Sequence, residues 1–146
     1  MTTAPFSEVL AREHAVLARV TDEAELTCWR RRVVEELMTP GSPYALALRP
    51  TADLQDRADF LDRWRSLIAD AVGRLSQSVT PRRPNGDPAQ PQGREVDAQE
   101  AALLILAALH GGSTLSQVAR DPRPLNAALD LALGPFMGRG RCQSGR

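Results

Sequence analysis

The side chains best suited to metal binding or catalysis are few and lie far apart in the sequence. The chain has two histidines, His14 and His110, and two cysteines, Cys28 and Cys142. A di-iron helical bundle needs repeated Glu-x-x-His pairs, but an alanine stands three positions before each histidine. A zinc site needs Cys and His ligands at short spacings, and both cysteines are isolated from the histidines. We therefore expect no metal and no cofactor.

The sequence also contains no pattern typical of nucleophilic catalysis or of phosphate binding. No serine or cysteine stands in a pattern with a histidine and an acid that suggests a catalytic triad. Gly111 and Gly112 fall inside a predicted helix, whereas phosphate-binding glycines usually follow a strand. We therefore predict that the chain is not an enzyme. The alternative, a small helical enzyme, requires a metal or cofactor in the purified protein.

Composition and charge indicate an ordinary globular domain. Lys plus Arg and Asp plus Glu both number 18 in 146 residues. This balance makes nucleic-acid binding through phosphate contacts alone a poor expectation. Residues 1–10 lack the basic start and apolar stretch of a signal peptide. Because isolated cysteines are typical of reducing compartments, we expect a cytoplasmic protein.

Hydrophobic periodicity is helical throughout and predicts an all-α, multi-helix fold. Residues 1–138 form one predicted domain, and the Gly/Arg-rich residues 139–146 form a disordered tail. The proline-rich stretch at about 80–95 predicts a mobile loop. The predicted helical segments are residues 7–20, a helix capped by Thr21 and ending near TPGSP, a short turn at 44–48, a long helix containing 60–75, a helix from Asp97 to about Arg120, and one from Pro122 to Gly134.

The helix from Asp97 is apolar on more than one side. Residues 101–109, AALLILAAL, are apolar without interruption, yet this run is well short of the ~20 residues that span a bilayer. Small residues recur every four positions at Ala108, Gly112 and Ser116, which favours close approach of another helix. Such packing must offset the roughly 1–2 kcal/mol that two helical glycines cost. The sequence thus indicates a helix covered on both sides, without a membrane.

The last two helices are predicted to form an antiparallel hairpin, because only a short turn separates them. If one face packs on its own domain and the other on a second copy, a dimeric four-helix bundle results. The alternative is that the first three helices wrap both sides of the apolar helix. The predicted dimer-interface residues are Leu104, Ala108, Gly112, Leu115, Leu125, Ala128, Leu129 and Ala132.

Three segments carry a resemblance to a known family. They are LLILAALHGGSTLSQVARDPRP at 103–124, CWRRRVVEELM at 28–38 with Gly41-Ser42-Pro43 after it, and FLDRW at 60–64. Together they resemble the C-terminal regulatory domain of TetR-family transcriptional regulators. Some members carry a cysteine where Ser42 stands here, so no thiol role is expected at that position. The resemblance implies a helical domain with a small-molecule cavity among the earlier helices and a dimer interface built from the last two.

The family's DNA-binding head does not resemble any part of this chain. Members of the family begin with a helix-turn-helix head, and nothing before Phe6 is similar to it. DNA contact is therefore expected only through an N-terminal head outside these residues. The implied function is effector binding and dimerisation, with a small, mostly apolar molecule as the effector. The alternative is a headless interaction module that pairs with a full-length regulator.

Five side chains are predicted to line the effector site. Trp29, Tyr44, Trp64 and Ile68 supply apolar walls with polar tips, as ligand pockets commonly do. His110 is the polar side chain next to the apolar run and is a candidate for a ligand hydrogen bond. Plain core packing is the alternative for the first four, and a bond to a neighbouring backbone carbonyl is the alternative for His110.

Overall fold

The described part of the chain is built from helices. The structure, a computed structural model, describes residues 4–49, 54–79 and 91–137. Within these ranges no strand occurs, which confirms the predicted all-α class. The elements are α1 (Ala4–Leu17), α2 (Glu23–Leu37), α3 (Pro43–Ala47), α4 (Leu54–Val79), α5 (Pro91–Ala119), α6 (Arg123–Leu133) and a 3₁₀ turn (Gly134–Phe136).

The start of α2 differs by one residue from the prediction. Asp22, rather than Thr21, is the N-cap, and its side chain accepts a hydrogen bond from the Glu25 N–H at 2.9 Å. Thr21 instead donates its backbone N–H and its hydroxyl to Glu25 Oε1, at 2.9 and 3.0 Å. Both residues are of types that cap helices, so the sequence alone did not decide between them.

The start of α5 is earlier than predicted. The helix begins at Pro91, so residues 91–95 are helical rather than part of the predicted loop, and Asp97 is not its N-cap. Proline is compatible with the first turn of a helix, because the amide proton that it lacks has no intrahelical partner there. Proline density was therefore a poor guide to the end of this loop. The rest of that loop, at 80–90, and the predicted tail lie outside the described residues.

Helix α4 supplies much of the core, as its periodicity predicts. Phe60, Trp64, Ile68, Val72 and Leu75 all have exposures of 2% or less, and their spacing of three or four places them on one face. This face packs on α1 and α5. Burying each such side chain stabilises the fold by roughly 1.5–3 kcal/mol.

Helices α5 and α6 form the predicted hairpin, and its tight packing explains two small residues. A Cβ added at Gly112 would lie 2.9 Å from the Leu125 Cα, so only glycine permits this approach. The hydroxyl of Ser116, which is fully buried, accepts a hydrogen bond from the Leu125 N–H at 2.9 Å. Helix α6 begins at Arg123, with Pro122 as its N-cap rather than its first residue, and the Asp121 side chain accepts the Arg123 N–H at 3.0 Å. The close helix contact predicted at Gly112 is therefore made within one chain.

The apolar part of α5 passes a simple test for a membrane span. Residues Ala98–Ala119 are long and apolar enough to cross a bilayer, but 44% of the most apolar 18-residue window is buried inside the fold. Buried helices of water-soluble domains pass the same test. The expectation that the chain does not cross a membrane stays a prediction.

The two neighbouring glycines of α5 provide a matched test of the hairpin. Gly112→Ala should lower the free energy of unfolding by about 1–3 kcal/mol, because the new methyl group meets the α6 backbone. At a concentration where the chain is monomeric, Gly111→Ala should raise it by roughly 0.5–1 kcal/mol, because no described atom of the same chain lies within 4 Å of the added Cβ and alanine favours helix. Urea denaturation of both variants measures the difference. Equal effects of the two changes would contradict the packing described.

Candidate functional site: a buried carboxylate among aromatic rings

The centre of the site is Glu13, an acid that sequence reasoning missed. It lies on α1 between Val9 and Leu17, one helical turn from each, and all three side chains are buried. Glu13 itself is 1% exposed. A charged residue at the middle of an apolar stripe is the signal that could have found it, because burying a carboxylate is costly unless it is hydrogen-bonded.

Three hydrogen bonds from three other helices satisfy this carboxylate. The Trp29 and Trp64 indoles each donate Nε1–H to Glu13 Oε1 at 2.8 Å. The Tyr44 hydroxyl donates to Glu13 Oε2 at 2.7 Å. Trp29 comes from α2, Tyr44 from α3 and Trp64 from α4. The structure therefore brings three of the five predicted site residues onto one group, which we call the Glu13 cluster (Glu13, Trp29, Tyr44 and Trp64).

Aromatic rings enclose the Glu13 cluster. Phe60 stacks on Phe6 with ring centroids 4.6 Å apart and is tilted against Trp64 at 5.4 Å. The rings of Tyr44 and Trp64 meet edge to face at 6.0 Å. On the outer side, the Arg12 guanidinium lies 5.9 Å from the Tyr44 ring centroid. These contacts keep water from the carboxylate and fill the space with the protein's own side chains.

Burial governs the protonation chemistry of the Glu13 cluster. Loss of water raises the pKa of Glu13, while the hydrogen bonds from the two tryptophans and Tyr44 oppose the rise. Burial, together with the nearby carboxylate, also raises the pKa of Tyr44, which therefore keeps its proton. Because a raised carboxyl pKa means that the folded state binds the proton more tightly, this group makes folding less favourable as pH rises above 4.5.

The other two predicted site residues have different surroundings. Ile68 is 1% exposed and lies in the core, one turn beyond Trp64 on α4. His110 is half-buried, and its Nε2 contacts an Nη2 of Arg57. Burial lowers the pKa of His110, and the Arg57 charge adds to this effect. His110 thus pairs with an arginine side chain, rather than with a carbonyl or with Glu13.

Arg57 connects His110 to the end of α3. Its Nη1 donates to the Arg49 carbonyl at 3.1 Å, and its Nη2 approaches the Leu48 carbonyl at 3.4 Å. These carbonyls follow the last residue of α3, Ala47. One arginine from α4 therefore joins the C-terminal end of α3 to α5.

The predicted interface residues divide into three groups by their burial. Gly112, Leu125, Leu129 and Ala132 are buried by their own chain, because α5 and α6 pack against each other and against the core. Ala108 and Ala128 are half-buried. Leu104 and Leu115 remain 56% and 62% exposed.

A set of exposed apolar residues lies on the outside of the hairpin. We call it the outer face. On α5 its side chains are uncharged, and on α6 it adds Leu131. Its members are Leu103, Leu104, Ala107, Gly111, Leu115, Val118 and Leu131.

Comparisons with known proteins identify no relative of this chain. No family model, curated protein or solved structure matches the chain. The resemblance to TetR-family regulators therefore stays a prediction. Among the described residues, no group of three or more His, Cys, Asp or Glu side chains is placed to hold a metal ion.

Glu13→Leu should lower the free energy of unfolding by about 3 kcal/mol, because three buried donors lose their acceptor. Glu13→Gln should cost only about 1 kcal/mol, since its amide oxygen still accepts the indole N–H groups. Urea denaturation measures both, and Glu8→Gln on the exposed side of α1 is the control. A Leu variant as stable as the unmodified protein would show that the carboxylate does not hold the cluster together.

Proposed function

We propose that this chain is the effector-binding and dimerisation domain of a TetR-like transcriptional regulator. The observation that carries the proposal is the outer face of the α5–α6 hairpin. The resemblance in 103–124 falls on this same hairpin. The Glu13 cluster supplies the candidate site for the effector.

The outer face lacks the charges that a water-facing helix side normally carries. Between Glu100 and Arg120 the sequence contains no Asp, Glu, Lys or Arg. Leu104, Ala107, Gly111, Leu115 and Val118 recur at spacings of three or four and are all exposed. A stripe of this kind favours contact with another apolar surface.

The exposed area approaches what a dimer requires. The leucines and the valine of the outer face are 56–81% exposed, which leaves on the order of 500 Å² of apolar surface open to water. A standard protein interface buries ~800 Å² on each partner. The outer face with a polar rim reaches this size.

A second copy of the chain is the occupant that fits. A face repeated on a twofold-related hairpin is self-complementary, and two hairpins make a four-helix bundle. Ala107 and Gly111 lie near the middle of the stripe, and a Cβ at Gly111 would meet no atom of the described residues within 4 Å. Small residues at the centre let the partner helix approach closely, while the leucines on either side supply the apolar contact.

The effector part of the proposal depends on the Glu13 cluster. Helices α1 to α4 each contribute one member, so a ligand bound there would alter how these helices pack. The cluster is closed by its own side chains, so an effector has to replace one of the donors to Glu13. This requirement selects a small, mostly apolar molecule that carries a hydrogen-bond donor.

The double variant Leu104→Glu/Leu115→Glu should convert the dimer into a monomer, because the new carboxylates would be buried without partners. Light scattering coupled to size-exclusion chromatography should report twice the chain mass of 15.9 kDa for the unmodified protein. The double variant should report a single chain mass. Leu54→Glu is the control, because Leu54 is 74% exposed on α4, outside the hairpin.

Two outcomes would contradict the homodimer. One is an unmodified chain that stays monomeric at 100 μM, a concentration on the order of the weakest specific associations. The other is a double variant that remains dimeric. If the monomer floated with lipid vesicles and the double variant did not, a bilayer surface rather than a second copy would cover the outer face.

Tryptophan emission tests the effector part. The chain has two tryptophans, and both donate to Glu13, so a ligand entering the cluster should shift the emission and raise the melting temperature together. A panel of small apolar alcohols, phenols and amides is the probe. Cyclohexane, which has no donor, is the control. If no compound changes either signal, the effector role is wrong even where the dimer is found.

A further inference from the structure

A cavity that contains no member of the Glu13 cluster lies where α2, α3 and α5 end. Its volume is about 580 Å³. Its apolar lining comes from the end of α2 and the turn after it, together with α3: Leu37, Met38, Pro40, Ala45 and Leu46. A cavity of this size holds a small ligand.

Two arginines, Arg49 and Arg120, also line this cavity, together with Gln117, and among the described residues no acidic side chain lines it. Both arginines are exposed. Within residues 4–49, 54–79 and 91–137, neither guanidinium has a hydrogen-bond or ion-pair partner. The cavity therefore combines an apolar lining with two positive charges that no side chain in the described part of the chain neutralises.

The helix ends do not account for these arginines. Cations commonly settle near helix C-termini because the last carbonyls lack intrahelical donors. Here other groups already serve those carbonyls. Gln117 Nε2 donates to the Leu37 carbonyl at 3.3 Å, and Arg57 donates to the carbonyls that follow α3. The Ser116 carbonyl at the end of α5 accepts the Asp121 N–H at 3.0 Å.

The backbone conformation of Arg120 also indicates that the arginine is not there to cap a helix. Its φ is 56°, in the left-handed region where glycine is the usual residue after a helix. An arginine here accepts a conformational penalty that glycine would avoid. The bond from the Asp121 N–H to the Ser116 carbonyl closes this turn without any particular side chain at position 120, so the end of α5 does not require an arginine there.

We infer that this cavity binds a small amphipathic carboxylate, with its alkyl part on the apolar lining and its carboxylate between Arg49 and Arg120. Arginine suits this task because its planar group forms paired hydrogen bonds with a carboxylate. The inference is independent of the proposed function, since it uses neither the Glu13 cluster nor the outer face.

Titration calorimetry of the full chain with octanoate tests the inference, and octan-1-ol is the uncharged probe of equal length. Octanoate should bind at least tenfold more tightly than the alcohol. Arg49→Gln and Arg120→Gly should each weaken octanoate binding about tenfold and leave the alcohol unaffected. Arg120→Gly should also fold at least as stably as the unmodified chain, because glycine accepts the left-handed backbone. Arg63→Gln, which changes an exposed arginine on α4 outside the cavity, should leave binding unchanged.

Equal binding of acid and alcohol would overturn the inference, because the arginines would then contribute nothing. Unchanged octanoate binding in the Arg49→Gln/Arg120→Gly double variant would overturn it as well. Binding that disappears in Leu104→Glu/Leu115→Glu but persists in the arginine variants would assign octanoate to the outer face and also exclude the site. None of these results depends on whether the chain forms a dimer.

Discussion

The arrangement of the first four helices depends on one buried carboxylate. Glu13 cannot be left without donors in an apolar interior, because an unpaired buried charge costs several kcal/mol. Its donors come from α2, α3 and α4. Each of these helices must therefore hold a defined axial position and rotation relative to α1. Apolar packing alone would tolerate small shifts of one helix against another. The hydrogen bonds to Glu13, at 2.7–2.8 Å, do not tolerate such shifts, because they depend on distance and direction.

The sequence predicted the helices better than it predicted their contacts. The stripe of α4 and the short helix at Pro43–Ala47 follow from local spacing and turn residues, and both are present. Trp29, Tyr44 and Trp64 are predicted from the sequence as walls of one site, and they do meet at Glu13, while their part in ligand binding stays a prediction. The helical period of apolar side chains does not predict Glu13, because a carboxylate is not counted in such a pattern. Its three donors also lie 16 to 51 positions away in the sequence, where local spacing gives no sign of them.

The sequence does not predict which side of α5 faces the core, and the reason is physical. Every position from 101 to 109 is apolar, so hydrophobicity does not reveal which side faces the core. In the fold, Ala102, Ile105 and Leu109 face inward, whereas Leu103 and Leu104 face outward. The inward side is fixed by tertiary partners, above all by Leu125 against Gly112. Local sequence does not contain that information.

Under the proposed function, a signal has to pass from the Glu13 cluster to the outer face. Tyr44 belongs to α3, whose C-terminal carbonyls are held by Arg57, and Arg57 also contacts His110. His110 adjoins Gly111 in the outer face. A ligand that replaces the Tyr44 hydroxyl at Glu13 would act on α3 and, through Arg57, on α5. Linkage requires the reverse as well: if dimer formation shifts His110, it must change effector affinity by the same factor.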